Sequence, residues 1–328
     1  MIRVRTILRY MSKPIVLAAL SVVVLTGTVY AAANVFSSQQ VEAGTRSTNA
    51  SLVSDASASG GSAVKFTAGG SPSCAGMAAV THGQQITASN TGYTAWCDSN
   101  NQPCLEANMT VYENSVNASS LGSSATCVWL KGGITINAPI TLTACKVPRI
   151  YNTSSNNVTL NYCTIEPSSP ADWSLGYRNF TATRSQVLGS SDGVRYGGSS
   201  SDTLIENYVR VKAQDSSDHN DGVQMYGASG GGTILRNNID ARPIGGGGGA
   251  NAAFFIADGA TGTYEIRDNY FAGGGDTFRL LDAGYYRATG NVIEKNSYLF
   301  GPVLRQNLIP GAILEWSNNR LSDGTILN

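Results

Sequence analysis

Charge is what this sequence has least of. Asp, Glu, Lys and Arg make up 13% of its 328 residues, against about 25% in an ordinary domain. A helical protein needs Glu and Lys along its outer faces, so the deficit argues against a mostly helical fold. The 22 basic and 22 acidic residues cancel, and that balance points neither to nucleic acid nor to an anionic membrane surface. Histidine is nearly missing. His82 lies outside the repeats described below and is given no role, which leaves His219. The absence of any Cys-x-x-Cys or His pair argues against a zinc site. No organic cofactor is expected either, because the Gly245 to Gly249 run lacks the strand-then-helix context of a dinucleotide loop. Gly, at 37 residues, fills the gap together with Asn, Ser and Thr. These are turn residues, and they suit a β architecture with many bends.

One long apolar run is present, Pro14 to Val29. It follows Arg3, Arg5, Arg9 and Lys13 and precedes Tyr30-Ala31-Ala32-Ala33. Residues 1–33 therefore read as an export signal with small-residue cleavage sites, or as an uncleaved signal anchor slightly short of a span of about 20 residues. The rest of the chain is expected outside the cytoplasm, secreted or held at the outer face of the membrane by that anchor. All six cysteines follow it: Cys74, Cys97, Cys104, Cys127, Cys145 and Cys163. An even number in that setting predicts up to three disulfides. Residues 34–73 are rich in Ser, Ala and Gly and read as linker, with a piece between Val41 and Phe66 that is an ordered strand or a spacer. Residues 74–127 hold four of the cysteines and little periodicity. They are expected to cap the N-terminal end of a solenoid.

From about residue 128 the sequence repeats. Seven segments place an apolar residue two positions after a small one, centred on Cys163, Ser185, Asn207, Asn237, Asn269, Asn291 and Asn319. The intervals are 22, 22, 30, 32, 22 and 28 residues, a step near 22 with insertions. No 3.6-residue period fills the gaps, so the unit is a coil of short strands and turns, a parallel β-helix over 128–328. Coils stack about 4.8 Å apart, and an Asn at an inward bend can bond its counterparts above and below. Cys163 opens this column and Cys145 takes the place before it. The two should stack on adjacent coils, either bonded or as buried thiols.

A second register aligns Asp192-Gly-Val-Arg195, Asp221-Gly-Val-Gln224, Asn251-Ala-Ala-Phe254 and Asp276-Thr-Phe-Arg279. Alternation puts Val194, Val223 and Phe278 in the core and Arg195, Gln224 and Arg279 on the outer face of one sheet. Arg195 and Arg279 would then lie about 14 Å apart. About seven residues are inserted ahead of Asp221, covering Lys212, Gln214, Asp215, Ser216, Ser217 and Asp218, and the next coil is enlarged around Arg242 to Gly249. Two long loops beside one exposed face would wall a groove. A plainer reading of the aspartates is also open, since Asp before Gly commonly forms a turn.

With coils of this length and the run His219-Asn-Asp221-Gly-Val-Gln224, residues 128–328 resemble the pectate-lyase-like right-handed parallel β-helix superfamily. The likeness is to secreted bacterial members with a His-x-Asp-Gly-x-Gln motif. It implies an all-β, single-stranded right-handed solenoid with a glycan as substrate or ligand. It does not fix the reaction, because the superfamily includes lyases, hydrolases, epimerases, esterases and phage adhesins. The paired Asp-Asp of polygalacturonases and the Asp-Pro-His-Glu run of alginate epimerases are both missing.

The first expectation is a polysaccharide lyase acting on a uronate-containing glycan by β-elimination. Arg195 and Arg279, or a calcium ion held by Asp215, Asp218 and Asp221, would neutralise the sugar carboxylate. His219 or Lys212 would take the adjacent proton. Gln224, Asp276, Asp192 and Tyr226 are expected to contact substrate, with Tyr285 and Tyr286 as further faces for sugar rings. The second expectation is a glycoside hydrolase. Asp192 and Asp221, one coil apart, approach a retaining separation, while Asp221 and Asp276, about 10 Å apart, approach the inverting window of about 6.5–9.5 Å. The third is a non-catalytic glycan-binding or adhesive surface protein.

Overall fold

The computed structural model describes residues 50–54, 62–66, 74–80, 85–169, 171–198, 202–215, 217–225, 230–245, 249–256, 259–281 and 284–328. The signal or anchor at 1–33 lies outside the described residues, as does most of the 34–73 segment. The chain divides into two units, 1–71 and 72–328. In the first, Ala50–Ser54 pairs antiparallel with Ser62–Phe66, so part of the segment read as linker is a hairpin.

The second unit is a parallel β-helix. From Lys146–Val147 onward, each coil sends one strand in turn to a ten-stranded, a seven-stranded and a nine-stranded sheet; in the two coils before it the middle strands form a two-stranded sheet of their own. Neighbouring strands in all three run parallel. Apolar residues alternate inward and fill the bore, with Val194, Val223, Phe254 and Phe278 contributed by the seven-stranded sheet. Among the described residues no helix is long and apolar enough to cross a membrane.

The solenoid begins earlier than its periodicity indicates. Thr110–Tyr112 already pairs in parallel with Val128–Leu130, and Val116–Asn117 with Ile134–Thr135. These first strands are two or three residues long and precede the Asn column, which is why no pattern revealed them. The expected cap is corrected accordingly. Its second half is coil, and its first half runs along the outside of the ten-stranded sheet. Gln186 Nε2 donates to Ala88 O (2.7 Å) and Thr91 O (3.0 Å), Arg184 donates to Gly76 O and Ala78 O, and Asn238 Nδ2 donates to Ile86 O at 2.7 Å.

All six cysteines pair, as Cys74–Cys97, Cys104–Cys127 and Cys145–Cys163, which suits an oxidising environment. Cys145 and Cys163 stack on adjacent coils with their Cα atoms 4.4 Å apart. The Asn ladder forms as the intervals require. Asn207, Asn237, Asn269 and Asn291 each donate Nδ2 to the Oδ1 of the next Asn at 2.9–3.0 Å. Each ladder Asn also donates to a carbonyl of the preceding coil, as Asn237 Nδ2 does to Leu204 O (3.0 Å). The residue before each rung bends the chain through the left-handed region, with φ of 51–57° at Ala144, Tyr162, Arg184, Glu206, Arg236, Asp268 and Asn318. The amide ladder satisfies the backbone groups that this bend removes from the sheet.

Candidate functional site

One outward column of the seven-stranded sheet reads Tyr151, Gly176, Arg195, Gln224, Phe255, Arg279 and Leu304. Arg195, Gln224 and Arg279 do share a face. The alignment between them needs one correction. A bulge between Asn220 and Asp221 pairs Asp221 with Ala252, so Phe255 faces outward and Phe254 is in the core. Matching Asn251 to the aspartates by chemistry hid the extra residue.

Strict alternation would also send Asp192 and Asp221 inward with Val194 and Val223. The glycines between them prevent this. A Cβ on Gly193 would stand 2.4 Å from Val209 Cγ1 and 2.6 Å from Gly222 O, and one on Gly222 would stand 2.3 Å from Ile239 Cγ2 and 2.5 Å from Ala253 O. Both glycines press against the core, the next residue also faces in, and the aspartate before them is turned out. Both Asp-Gly pairs lie inside strands, Asp192–Tyr196 and His219–Met225, and neither glycine has a positive φ. The turn reading is therefore set aside: glycine is required here for space.

The outward aspartates form the floor of an open polar cleft of about 580 Å³, lined also by Arg195, His219, Gln224 and Asn251. Asp192 accepts from Arg195 through Nε (2.8 Å) and Nη2 (2.7 Å), and its Oδ1 accepts from Asp221 N at 3.1 Å. Asp221 Oδ2 accepts from Asn251 Nδ2 at 3.2 Å, while its Oδ1 has no partner among the described residues. Burial drives both carboxyls upward. Asp192 rises to about 6, with Arg195 opposing the rise. Asp221 is pushed well above the carboxylate range, by burial first and the charge of Asp192 second. The two titrate as a pair, and burial together with the charge of Asp192 biases Asp221 toward its protonated form.

The inserted loop folds over the same cleft. Asp218 accepts from Ser191 Oγ (2.7 Å) and Gln214 N (2.8 Å), and Gln214 Nε2 donates to Asp172 Oδ1 at 3.1 Å. Asp215 caps its own turn, accepting from Ser217 N (2.7 Å) and Oγ (2.6 Å). His219 stands exposed at the rim. Arg279 does not line the cleft itself; it donates to Asn251 Oδ1 and lies over Phe255, both of which do.

Several expected residues are elsewhere. Lys212 lines a separate cleft with Trp129, Lys146 and Glu166. Asp276 does not line the cleft. Tyr226 and Ser216 lie outside the described residues. Tyr286 is not exposed: it is fully buried in the nine-stranded sheet, stacked on Tyr264 at 5.9 Å, with its hydroxyl on Leu281 O. Neighbouring Tyr285 is exposed on that other sheet. Asp215, Asp218 and Asp221 do not converge on one point, and among the described residues no three His, Cys, Asp or Glu side chains group to hold a metal. Asp218 meets Ser191 and Gln214 through its two oxygens. Ser191, Phe255 and Asp172 line the cleft without having been singled out, and Asn251, read only as a member of the aspartate column, lines it too. Trp173 stands beside it, one strand before Asp192, in a rung with no Asp-Gly pair to mark it. No protein-family model matches the chain, and neither does any curated protein or solved structure.

Proposed function

We propose that this chain is a secreted carbohydrate-active enzyme that cleaves a polysaccharide across the cleft, with Asp192 and Asp221 handling the proton. The basic and apolar N-terminus and the three disulfides support export. The observation that carries the activity is the carboxyl pair, two acids on adjacent coils at the floor of an open cleft. One is held by Arg195, and the other is biased toward its protonated form by burial, with one oxygen unpartnered among the described residues. A carboxyl kept neutral at pH 7 is a general acid, and its ionised neighbour is a base or nucleophile.

Hydrolysis of a neutral linkage fits this arrangement first. Asp172, Asp215 and Asp218 line the cleft together with the pair, against Arg195 as the one guanidinium among the lining residues. A uronate at the point of cleavage would meet surplus negative charge. In the proposed reaction Asp221 gives its proton to the glycosidic oxygen as the C–O bond breaks, and Asp192 closes on the anomeric carbon. Water then displaces Asp192 and returns a proton to Asp221. One coil step, about 4.8 Å, is closer to the separation of about 5–5.5 Å of a retaining pair than to that of an inverting pair. The product should therefore keep the anomeric configuration.

The second reading is β-elimination, favoured by His219 and Arg195 sharing the cleft. Arg195, Gln224 and Asp221 would bond the uronate carboxylate while His219 takes the neighbouring proton. The electrons of that C–H bond form the new double bond, the glycosidic C–O bond beyond it breaks, and the departing oxygen takes its proton from the His219 imidazolium. Incubating the exported domain with neutral and uronate polysaccharides separates the two. New reducing ends without an unsaturated product support hydrolysis. Ultraviolet absorbance from an unsaturated product, lost in His219→Ala, supports elimination. Glycan retention without any product would leave a binding protein and sink both.

A further inference from the structure

We infer that the outer face two coils N-terminal to the Arg195 rung is a binding subsite for a carboxylate-bearing sugar, built by Arg149, Tyr151 and Trp173. This rests on the glycan-cleaving reading above. Tyr151 is 48% exposed, yet its ring is fixed edge-on against Trp173 (5.5 Å) and Tyr177 (6.1 Å). A rigid, exposed aromatic face of this kind suits stacking on a sugar ring. The Arg149 guanidinium lies 3.7 Å from the Trp173 ring centre and 5.5 Å from that of Tyr151, and Arg195 lies 4.5 Å from Trp173 on the cleft side. The indole thus joins two cations, one in the cleft and one beyond it.

Two donors here have no acceptor. Arg149 Nε and Trp173 Nε1 are buried atoms without a hydrogen-bond partner among the described residues, which is costly unless something supplies one. A sugar carboxylate stacked over Tyr151 would supply it. The column between Tyr151 and Arg195 is occupied by Gly176, and the Trp173 indole lies over it, 3.4 Å from where a Cβ would stand, so the surface between the two rungs is the indole itself. The two rungs are about 10 Å apart. The groove is therefore polarised along its axis, with acid where the bond is cut and cationic aromatics where the chain is gripped. The matching substrate is a mixed glycan, with a neutral linkage at the carboxyl pair and a uronate some residues away.

The test uses the full exported chain carrying Asp221→Asn to stop turnover, and calorimetry with an oligosaccharide alternating glucuronate and N-acetylhexosamine. Its carboxyl-reduced form is the control. The acidic form should bind about tenfold more tightly, the loss expected when a charged hydrogen bond is removed. Arg149→Gln should erase that difference and leave the affinity for the reduced form unchanged. Arg149→Lys, which keeps the charge, should retain part of it, and this separates recognition from misfolding. Tyr151→Ala should weaken both forms. An Arg149→Gln protein that still prefers the acidic form would overturn the subsite, as would equal binding of the two forms or binding of neither. If the pattern holds but unmodified protein cleaves no glycan, the catalytic reading fails and the subsite stands.

Discussion

Gly193 and Gly222 decide where Asp192 and Asp221 point, so the chemistry of the cleft depends on two residues without side chains. Gly222→Ala places a methyl 2.3 Å from Ile239 Cγ2 and 2.5 Å from a backbone oxygen. Overpacking of this kind costs about 1–3 kcal/mol, which should appear as a lower denaturation midpoint, with activity lost as the aspartate swings away. Asp221→Asn makes the complementary case. The isosteric amide keeps its bond to Asn251 available and relieves a strained proton equilibrium, so the fold should be retained. Turnover should fall at least about 100-fold, the usual share of general acid catalysis. The pH profile of the unaltered protein should decline as pH rises past the point where the pair loses its shared proton, and a rate still climbing at alkaline pH would remove Asp221 as the acid. In the sequence the Asp-Gly pairs were visible as a column, but their orientation was not. Alternation assumes one residue in and one out, and nothing in the letters shows that a glycine and the valine after it both face the core.

At the level of strands and turns, the Asn ladder was legible because it demands one residue type at one bend in every coil. The intervals read from the sequence are the ones its hydrogen bonds span, from 22 residues between Asn269 and Asn291 to 32 between Asn237 and Asn269. Other features broke the same rule locally. The bulge at Asn220/Asp221 shifted one rung by a residue and exchanged Phe254 for Phe255. The Trp173–Tyr177 strand carries neither ladder nor Asp-Gly signal, and Lys212 sits in the insertion by sequence but beside Trp129 in space. Position within the ladder should set the cost of losing a rung. Asn237 Oδ1 accepts from Asn207 N and Nδ2, and its Nδ2 donates to Leu204 O and Asn269 Oδ1. Asn237→Leu leaves several buried groups unpaired, at about 1–3 kcal/mol each, and should destabilise by about 3 kcal/mol or more. Asn319 accepts from Asn291 N and Nδ2, but among the described residues its Nδ2 donates to Ala288 O and to no further Asn, and Asn319→Leu should cost visibly less in the same denaturation series. Equal costs would mean the ladder is not cooperative along its length.

Across the whole solenoid, scarce charge means that each buried carboxyl weighs on stability, and three of them are set against ionisation. Asp192 rises to about 6 and Asp202 to about 7, both chiefly through burial, and Asp221 is pushed in the same direction by burial and by the charge of Asp192. Asp202 accepts from Phe180 N at 3.2 Å through Oδ1, and its Oδ2 has no partner among the described residues. When folding raises a carboxyl's pKa, the protonated form is the stabilised one. That contribution is complete below the unfolded value of about 3.9 and is lost as pH rises through the folded values. Glu206 acts in the opposite direction. Its pairs with Arg184 and Arg236 hold it below the usual carboxylate range, and what it contributes is lost as the solution becomes more acid. Stability should therefore peak in mildly acid solution and fall between about pH 5 and 8, unlike an ordinary domain whose paired carboxylates favour neutrality. Thermal midpoints measured across that range should decline. Asp202→Asn, which cannot ionise, should flatten the decline while leaving cleft activity unchanged, because Asp202 does not line the cleft. A midpoint that rises from pH 5 to 8, or a slope indifferent to Asp202→Asn, would show that water reaches these carboxyls and that the core is less dry than its packing indicates.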